Sequence, residues 1–154
     1  MTKRDLYDEL LRQARGLLAG EHDPVANAAN LAALIWYTLP DLNWAGFYFV
    51  KGDELVLGPF QGRPACVRIA IGSGVCGTAV ARARTIVVPD VHEFAGHIAC
   101  DAASNSELVV PLSARERIVG VLDLDSPLTS RFDDEDAAGV ETLARAWIEA
   151  SDNI

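Results

Sequence analysis

The spacing of apolar residues changes twice along the chain, and those changes divide it into elements. From about Lys3 to Leu18, Leu6, Leu10, Leu11, Ala14, Leu17 and Leu18 recur at helical spacing, and Gly20 is a plausible stop. Asp23-Pro24 reads as an N-cap followed by a first-turn proline, opening a second helix through Leu31, Leu34 and Ile35 that ends before Pro40. From Asn43 the period falls to two. Trp44–Val50 is strand-like, Lys51–Glu54 a turn, and Leu55–Leu57 a returning strand, together a hairpin. On that first strand Trp44, Gly46 and Tyr48 share one face, and Ala45, Phe47 and Phe49 the other. The mixed aromatic face suits a small pocket and the apolar face suits a core. Trp36 and Tyr37 read as core or interface residues.

Pro59–Arg68 reads as a loop leading into a short strand near Ile69. Gly72–Ala83 is a glycine-rich turn entering a helix, Thr85–Val88 a strand, and Glu107–Leu112 with Ile118–Asp125 a second hairpin. Val140, Leu143, Ala144, Trp147 and Ile148 form the buried stripe of a last helix, started by the acidic run Asp133–Asp136, where negative charge favours the helix dipole. The expected architecture is α+β, with a central, mostly antiparallel sheet flanked by helices. It forms one domain over 1–154, with helices at about 3–39, sheet and loops at 43–125 and a closing helix at about 133–150.

Residues 91–107 fit neither period. This stretch is a loop, and a long one, of the kind that serves as a lid or binding loop. In its middle stands Cys100, three positions after His97 and directly before Asp101. A cysteine on a loop is open to solvent and substrate, whereas a core cysteine is inert. Cys76 falls in the first turn of the helix after Gly72, where the positive end of the dipole stabilises a thiolate. Asp123 and Asp125 project from one strand face, with Leu122 and Leu124 opposite. Two adjacent carboxylates repel, and partial burial raises at least one pKa. A cationic ligand or an acid-catalysed step needs such a pair; a solvated strand end before Ser126-Pro127 is the competing reading.

Composition narrows the field. With 22 acidic against 13 basic residues the net charge is −9, which argues against nucleic acid and anionic membrane surfaces as partners. No 18-residue apolar run exists, and Met1–Tyr7 lacks a signal-peptide core, so the expected compartment is the cytoplasm. Three cysteines in a reducing compartment point to catalytic, redox or metal roles rather than stapling. Cys66, Cys76 and Cys100 lack a C-x₂₋₄-C knuckle, which disfavours zinc, and the glycines of 72–77 lack the ending of a P-loop. A thiolate can be oxidised and can then condense with a second thiol, but spacing alone does not say which pair meets.

Taken together, Trp44–Tyr48, Pro59–Gly62, Gly72–Ala79, Gly96–Asp101, Ser106-Glu107 and Val121–Ser126 closely resemble the free methionine-(R)-sulfoxide reductases, small GAF-domain proteins. The resemblance covers about residues 20–150 and implies the following. Cys100 is the nucleophile that attacks the sulfoxide sulfur, leaving a sulfenic acid. Cys76 or Cys66 then forms a disulfide with it, with Cys76 favoured for its place at a helix start. Thioredoxin, fed by NADPH through thioredoxin reductase, restores the thiols, and no bound cofactor or metal is needed. Glu107, Asp123 and Asp125 form an acidic pocket that donates a proton and holds the ammonium of the free amino acid. Trp44 packs on the methyl group with Tyr48 beside it. A homodimer through the first helices is compatible with the family. Ala95 departs from the expected proline before Gly96 and loosens the loop without removing a catalytic group. A ligand-sensing GAF module for a nucleotide, tetrapyrrole or other small effector is the alternative.

Overall fold

The computed structural model describes residues 1–98 and 100–154, so Ala99 of the central loop lies outside the described residues. Helix α1 spans Lys3–Leu18 behind a capping box in which Thr2 and Asp5 bond each other's backbone. Helix α2 spans Pro24–Thr38, with the Asp23 carboxylate accepting from the N–H groups of Val25 and Ala26. The strands are β1 (Trp44–Lys51), β2 (Glu54–Gly62), β3 (Arg68–Ala70), β4 (Ile86–Val88), β5 (Ser106–Ala114) and β6 (Arg117–Ser126). Helix α3 (Gly74–Arg82) lies between β3 and β4, and α4 (Asp134–Ala150) closes the fold. One six-stranded sheet runs β3-β2-β1-β6-β5-β4, with every neighbouring pair antiparallel.

The period-two pattern gives the sheet two different faces. Ala45, Phe47, Leu108, Val110, Leu112, Leu122 and Leu124 pack against Leu10, Leu31, Ile35, Val140, Leu143 and Trp147 of α1, α2 and α4. Trp44, Tyr48, Val109 and Val121 face the other way, toward Val75, Cys76 and Ala79 of α3 and Val91 of the loop after β4. The three long helices therefore occupy one side. The other is left to one short helix and a loop, and the site forms there.

Two expectations change. Pro59–Gly62 is strand rather than loop: β2 continues through it, pairing Phe60 with Gly46 and Gly62 with Trp44. Between the pairs Gly46–Phe60 and Tyr48–Leu57 β2 carries one residue more than β1, and such a bulge accommodates Pro59 without breaking the ladder. Gly46 is required where the strands close up, because a Cβ there would overlap Phe60 and the Trp44 ring. The second change concerns α2. Tyr37 is 90 % exposed and Trp36 36 %, so neither belongs to the core. The central loop opens with a 3₁₀ turn, Val91–Glu93, and is tied down where Val91 N–H donates to Asn105 O at 2.9 Å and Asn105 N–H to Ser126 O at 2.8 Å. No helix among the described residues is long and apolar enough to cross a membrane.

Candidate active site

Sheet register assembles the acids. Trp44 on β1 lies opposite Asp125 on β6, Asp125 opposite Glu107 on β5, and Glu107 opposite Val88 on β4, a row across four strands. Asp123 lies in the next row, opposite Gly46 and Val109. Directly opposed residues of an antiparallel pair share a face, so Trp44, Glu107, Asp123 and Asp125 all point toward α3. The missing side chain at Gly46, opposite Asp123, is what lets Phe60 and the Trp44 ring close in on this face.

All three acids are buried: Glu107 is 6 %, Asp123 5 % and Asp125 9 % exposed. The solvated-strand-end reading of Asp123 and Asp125 is thereby excluded. Burial is the leading cause that pushes each pKa well above the usual carboxylate range. Repulsion adds to it, from Asp123 on Glu107, from Asp125 on Asp123 and from Glu107 on Asp125. His97 approaches Glu107 at 3.9 Å, too long for a hydrogen bond. Burial also lowers the His97 pKa and raises that of Glu107, so both shifts work against an ion pair here.

The three cysteines come from three separate segments of the chain. Cys76, the third residue of α3, is buried, with its Sγ 4.0 Å from Glu107 Oε2. Burial first, then Asp123 and Glu107, push its thiol pKa well up. The expected thiolate at the helix start is therefore overturned: desolvation and neighbouring carboxylates outweigh the dipole. Cys66, in the connection from β2 to β3, is joined to Cys100 of the central loop by a disulfide with a Cα–Cα distance of 5.5 Å. The preference for Cys76 as the partner of Cys100 does not match this geometry, which gives that place to Cys66. Helix position was a weaker guide than the connection that brings Cys66 to Cys100.

The two aromatics are held firmly. Trp44 stacks against Tyr48 and Phe60 at centroid distances of 5.8 and 5.2 Å, and its Nε1–H donates to Arg63 O at 3.2 Å. The Tyr48 hydroxyl donates to Cys66 O at 2.8 Å, so its polar tip fixes the cysteine connection while its ring faces the pocket. Trp44, Tyr48, Cys76, His97, Cys100, Glu107, Asp123 and Asp125 line one cavity of about 50 Å³, room for a few water-sized groups. Every site residue expected from the sequence except Cys66 lies on this lining, and Cys66 reaches it through its disulfide.

Sequence reasoning missed the supports. Asn43 Nδ2 donates to Asp101 Oδ2 at 3.1 Å and to Ser104 Oγ at 2.9 Å, tying the segment after Cys100 to the start of β1. Phe60 completes the stack on Trp44. Nothing in the local pattern marks Asn43, whereas Phe60 stood inside a motif already singled out.

The Cys66–Cys100 sulfur pair thus meets, at one small cavity, three buried acids whose pKa values are all pushed upward. A GAF-domain family model matches residues 4–146, which defines the class of the fold. Free methionine-R-sulfoxide reductase of Escherichia coli is 55 % identical over 143 residues, covering 93 % of this chain and 87 % of that protein. The Saccharomyces cerevisiae enzyme of the same name is 41 % identical over 153 residues, covering 94 % and 85 %. The structure of free methionine-R-sulfoxide reductase from Neisseria meningitidis in complex with its substrate superposes with a TM-score of 0.94 at 46 % identity, covering 97 % of this chain and 90 % of that one. The chain belongs to the free methionine-R-sulfoxide reductase family of GAF domains.

Proposed function

We propose that this protein reduces free methionine-(R)-sulfoxide to methionine, using Cys100 as nucleophile and Cys66 as resolving cysteine. The observation that supports it best is the shared cavity of Cys100 with Glu107, Asp123 and Asp125. Sulfoxide oxygen leaves only once protonated, and an acid with a raised pKa is suited to supply that proton at neutral pH. The Cys100 sulfur attacks the sulfoxide sulfur, and the oxygen takes a proton from the acid cluster. The oxygen passes as hydroxyl to the Cys100 sulfur while the transient bond between the two sulfurs breaks, and methionine departs as the thioether, leaving Cys100 as sulfenic acid. The Cys66 thiol then displaces the hydroxyl as water and closes the disulfide seen here. Two electrons pass from two thiols to one sulfoxide, and the sum is methionine, disulfide and water. Thioredoxin returns the electrons by dithiol exchange, drawing on NADPH through its reductase, in the cytoplasm.

The acids also define which sulfoxide is accepted. A carboxylate of the cluster that gives up its proton holds the ammonium of a free amino acid, which a methionine sulfoxide inside a protein does not carry. Trp44 packs on the substrate methyl, with the Tyr48 ring beside it. The exposed Val25, Trp36 and Tyr37 of α2 support assembly as a homodimer through the first helices.

The test is a coupled assay with thioredoxin, thioredoxin reductase and NADPH. Adding free methionine-R-sulfoxide should consume NADPH, and the Cys100→Ser variant should not do so. Undiminished turnover by that variant would remove Cys100 from its role.

A further inference from the structure

Cys76 stands outside the disulfide yet inside the cavity. Its Sγ, one oxygen of Glu107 and one of Asp123 all lie within 4.8 Å of one another, supplied by α3, β5 and β6. These three groups are buried, and neither lysine nor arginine is among the cavity-lining residues. Asp123 Oδ1 is buried without a hydrogen-bond partner among the described residues, a lone acceptor in a side chain that lines the cavity. A buried acceptor left unpaired is costly unless something else satisfies it.

We propose that Cys76, Glu107 and Asp123 form a reversible inhibitory site for a thiophilic divalent cation, Zn²⁺ first among them, which occupies the place of the substrate's ammonium. One sulfur with two carboxylate oxygens is a donor set for zinc, whereas magnesium and calcium take oxygen shells of six or more. Around a tetrahedral zinc, ligand atoms stand roughly 3.5 Å apart, so the present spacing needs a contraction of about 1 Å. Three protein ligands leave a fourth position, which opens into the cavity and admits water. On binding, the thiol gives up its proton and both carboxylates become ionised, so each cation releases protons to solvent and affinity rises with pH. Two of the ligands are carboxylates on strands distant in sequence from the cysteine, so no C-x₂₋₄-C knuckle marks the site. The site itself does not depend on the reductase reading; only its inhibitory consequence does.

The test uses metal-free protein in the oxidised form, where the Cys66–Cys100 disulfide leaves Cys76 as the one free thiol. Titration with Co²⁺ should produce a thiolate-to-cobalt charge-transfer band with one ion per chain, which Zn²⁺ then abolishes. Cys76→Ser should lose the band, and Asp123→Asn should weaken binding at least tenfold. Zn²⁺ should also slow alkylation of Cys76 in the unaltered protein, a readout that needs no variant to fold. Absence of the band in the unaltered protein, or its survival in Cys76→Ser, overturns the proposal. In reduced enzyme, Zn²⁺ should inhibit turnover competitively with sulfoxide. Failure of turnover without loss of the optical signal would count against the reductase reading alone.

Discussion

Two acidic clusters occupy this chain, and they are built in opposite ways. At the start of α4, Asp133 accepts from Asp136 N–H at 3.0 Å while Asp136 accepts from Asp133 N–H at 2.9 Å, a reciprocal cap. Lys3 Nζ lies 2.9 Å from both carboxylates, Arg131 Nη1 3.3 Å from Asp136, and the Tyr7 hydroxyl donates to Asp136 at 2.8 Å. Asp136 is 1 % exposed, and each of its oxygens has partners inside the chain. In the pocket, Glu107, Asp123 and Asp125 are nearly as buried but face one another and a thiol. The first cluster is completed by the fold. The second leaves Asp123 Oδ1 without a hydrogen-bond partner among the described residues, and that difference distinguishes the two clusters better than burial or charge count.

The comparison breaks if Asp123 behaves like Asp136. Asp123→Asn keeps the shape but removes both an acidic proton and a charge for the ammonium. Its kcat/KM for free methionine-R-sulfoxide should fall by about 10²–10⁴, with no loss of thermal stability at neutral pH. Asp136→Ala should do the reverse. Deleting it leaves Lys3, Arg131 and the Tyr7 hydroxyl without their shared acceptor, at a cost of about 3 kcal/mol or on the order of 10 °C in Tm. Turnover per folded molecule at room temperature should stay within twofold of the parent.

How much of this could be read along the chain depends on whether the cause was local. The helices and most strands follow from apolar period and caps, and the Asp123–Asp125 face follows from alternation, because each depends on residues within a few positions. The strand at Pro59–Gly62 depends on a bulge opposite Gly46, a feature of the partner strand, and so it read as loop. The burial of the acid face was beyond a reading of β6 by itself, since it is covered by α3 and the central loop. Cys76 shows the same limit most sharply. Its helix position was legible, but the burial that raises its pKa, and the three carboxylates that add to it, come from packing against β5 and β6. Likewise the pairing of Cys66 with Cys100 is set by Tyr48, which holds Cys66 O, and by the path of the loop anchored at Asn43.

The two clusters should also bend the pH dependence of stability in opposite directions. Glu107, Asp123 and Asp125 have folded pKa values above their unfolded ones near 4, so the folded state binds more protons than the unfolded state above that pH. Their contribution is complete below about pH 4 and is lost as pH rises through the raised values. Denaturant unfolding of the parent should therefore show stability declining from mildly acidic pH toward pH 8. Asp123→Asn should flatten that decline and be the more stable protein at pH 8, by about 1 kcal/mol. A parent profile that rises over this range, unaltered by the substitution, would mean that the pocket acids are already compensated.

The smallest effect belongs to Asp133, and its sign is the opposite one. The hydrogen bond from Lys3 is the first cause that holds its carboxyl down at about 2, followed by the bond from Asp136 N–H. A folded value below the unfolded one near 3.9 contributes stability above that pH, which is lost as pH falls toward 2. The side chain is 56 % exposed, so solvent screens most of the Lys3 attraction. Asp133→Asn retains a good N-cap acceptor and removes only the charge. It should therefore cost about 0.5 kcal/mol or less at pH 7, shrink further in high salt and vanish near pH 2. A larger loss that persists at pH 2 would assign the role of Asp133 to cap geometry rather than charge, and the α4 cluster would then be held by Asp136 and its partners without help from its neighbour.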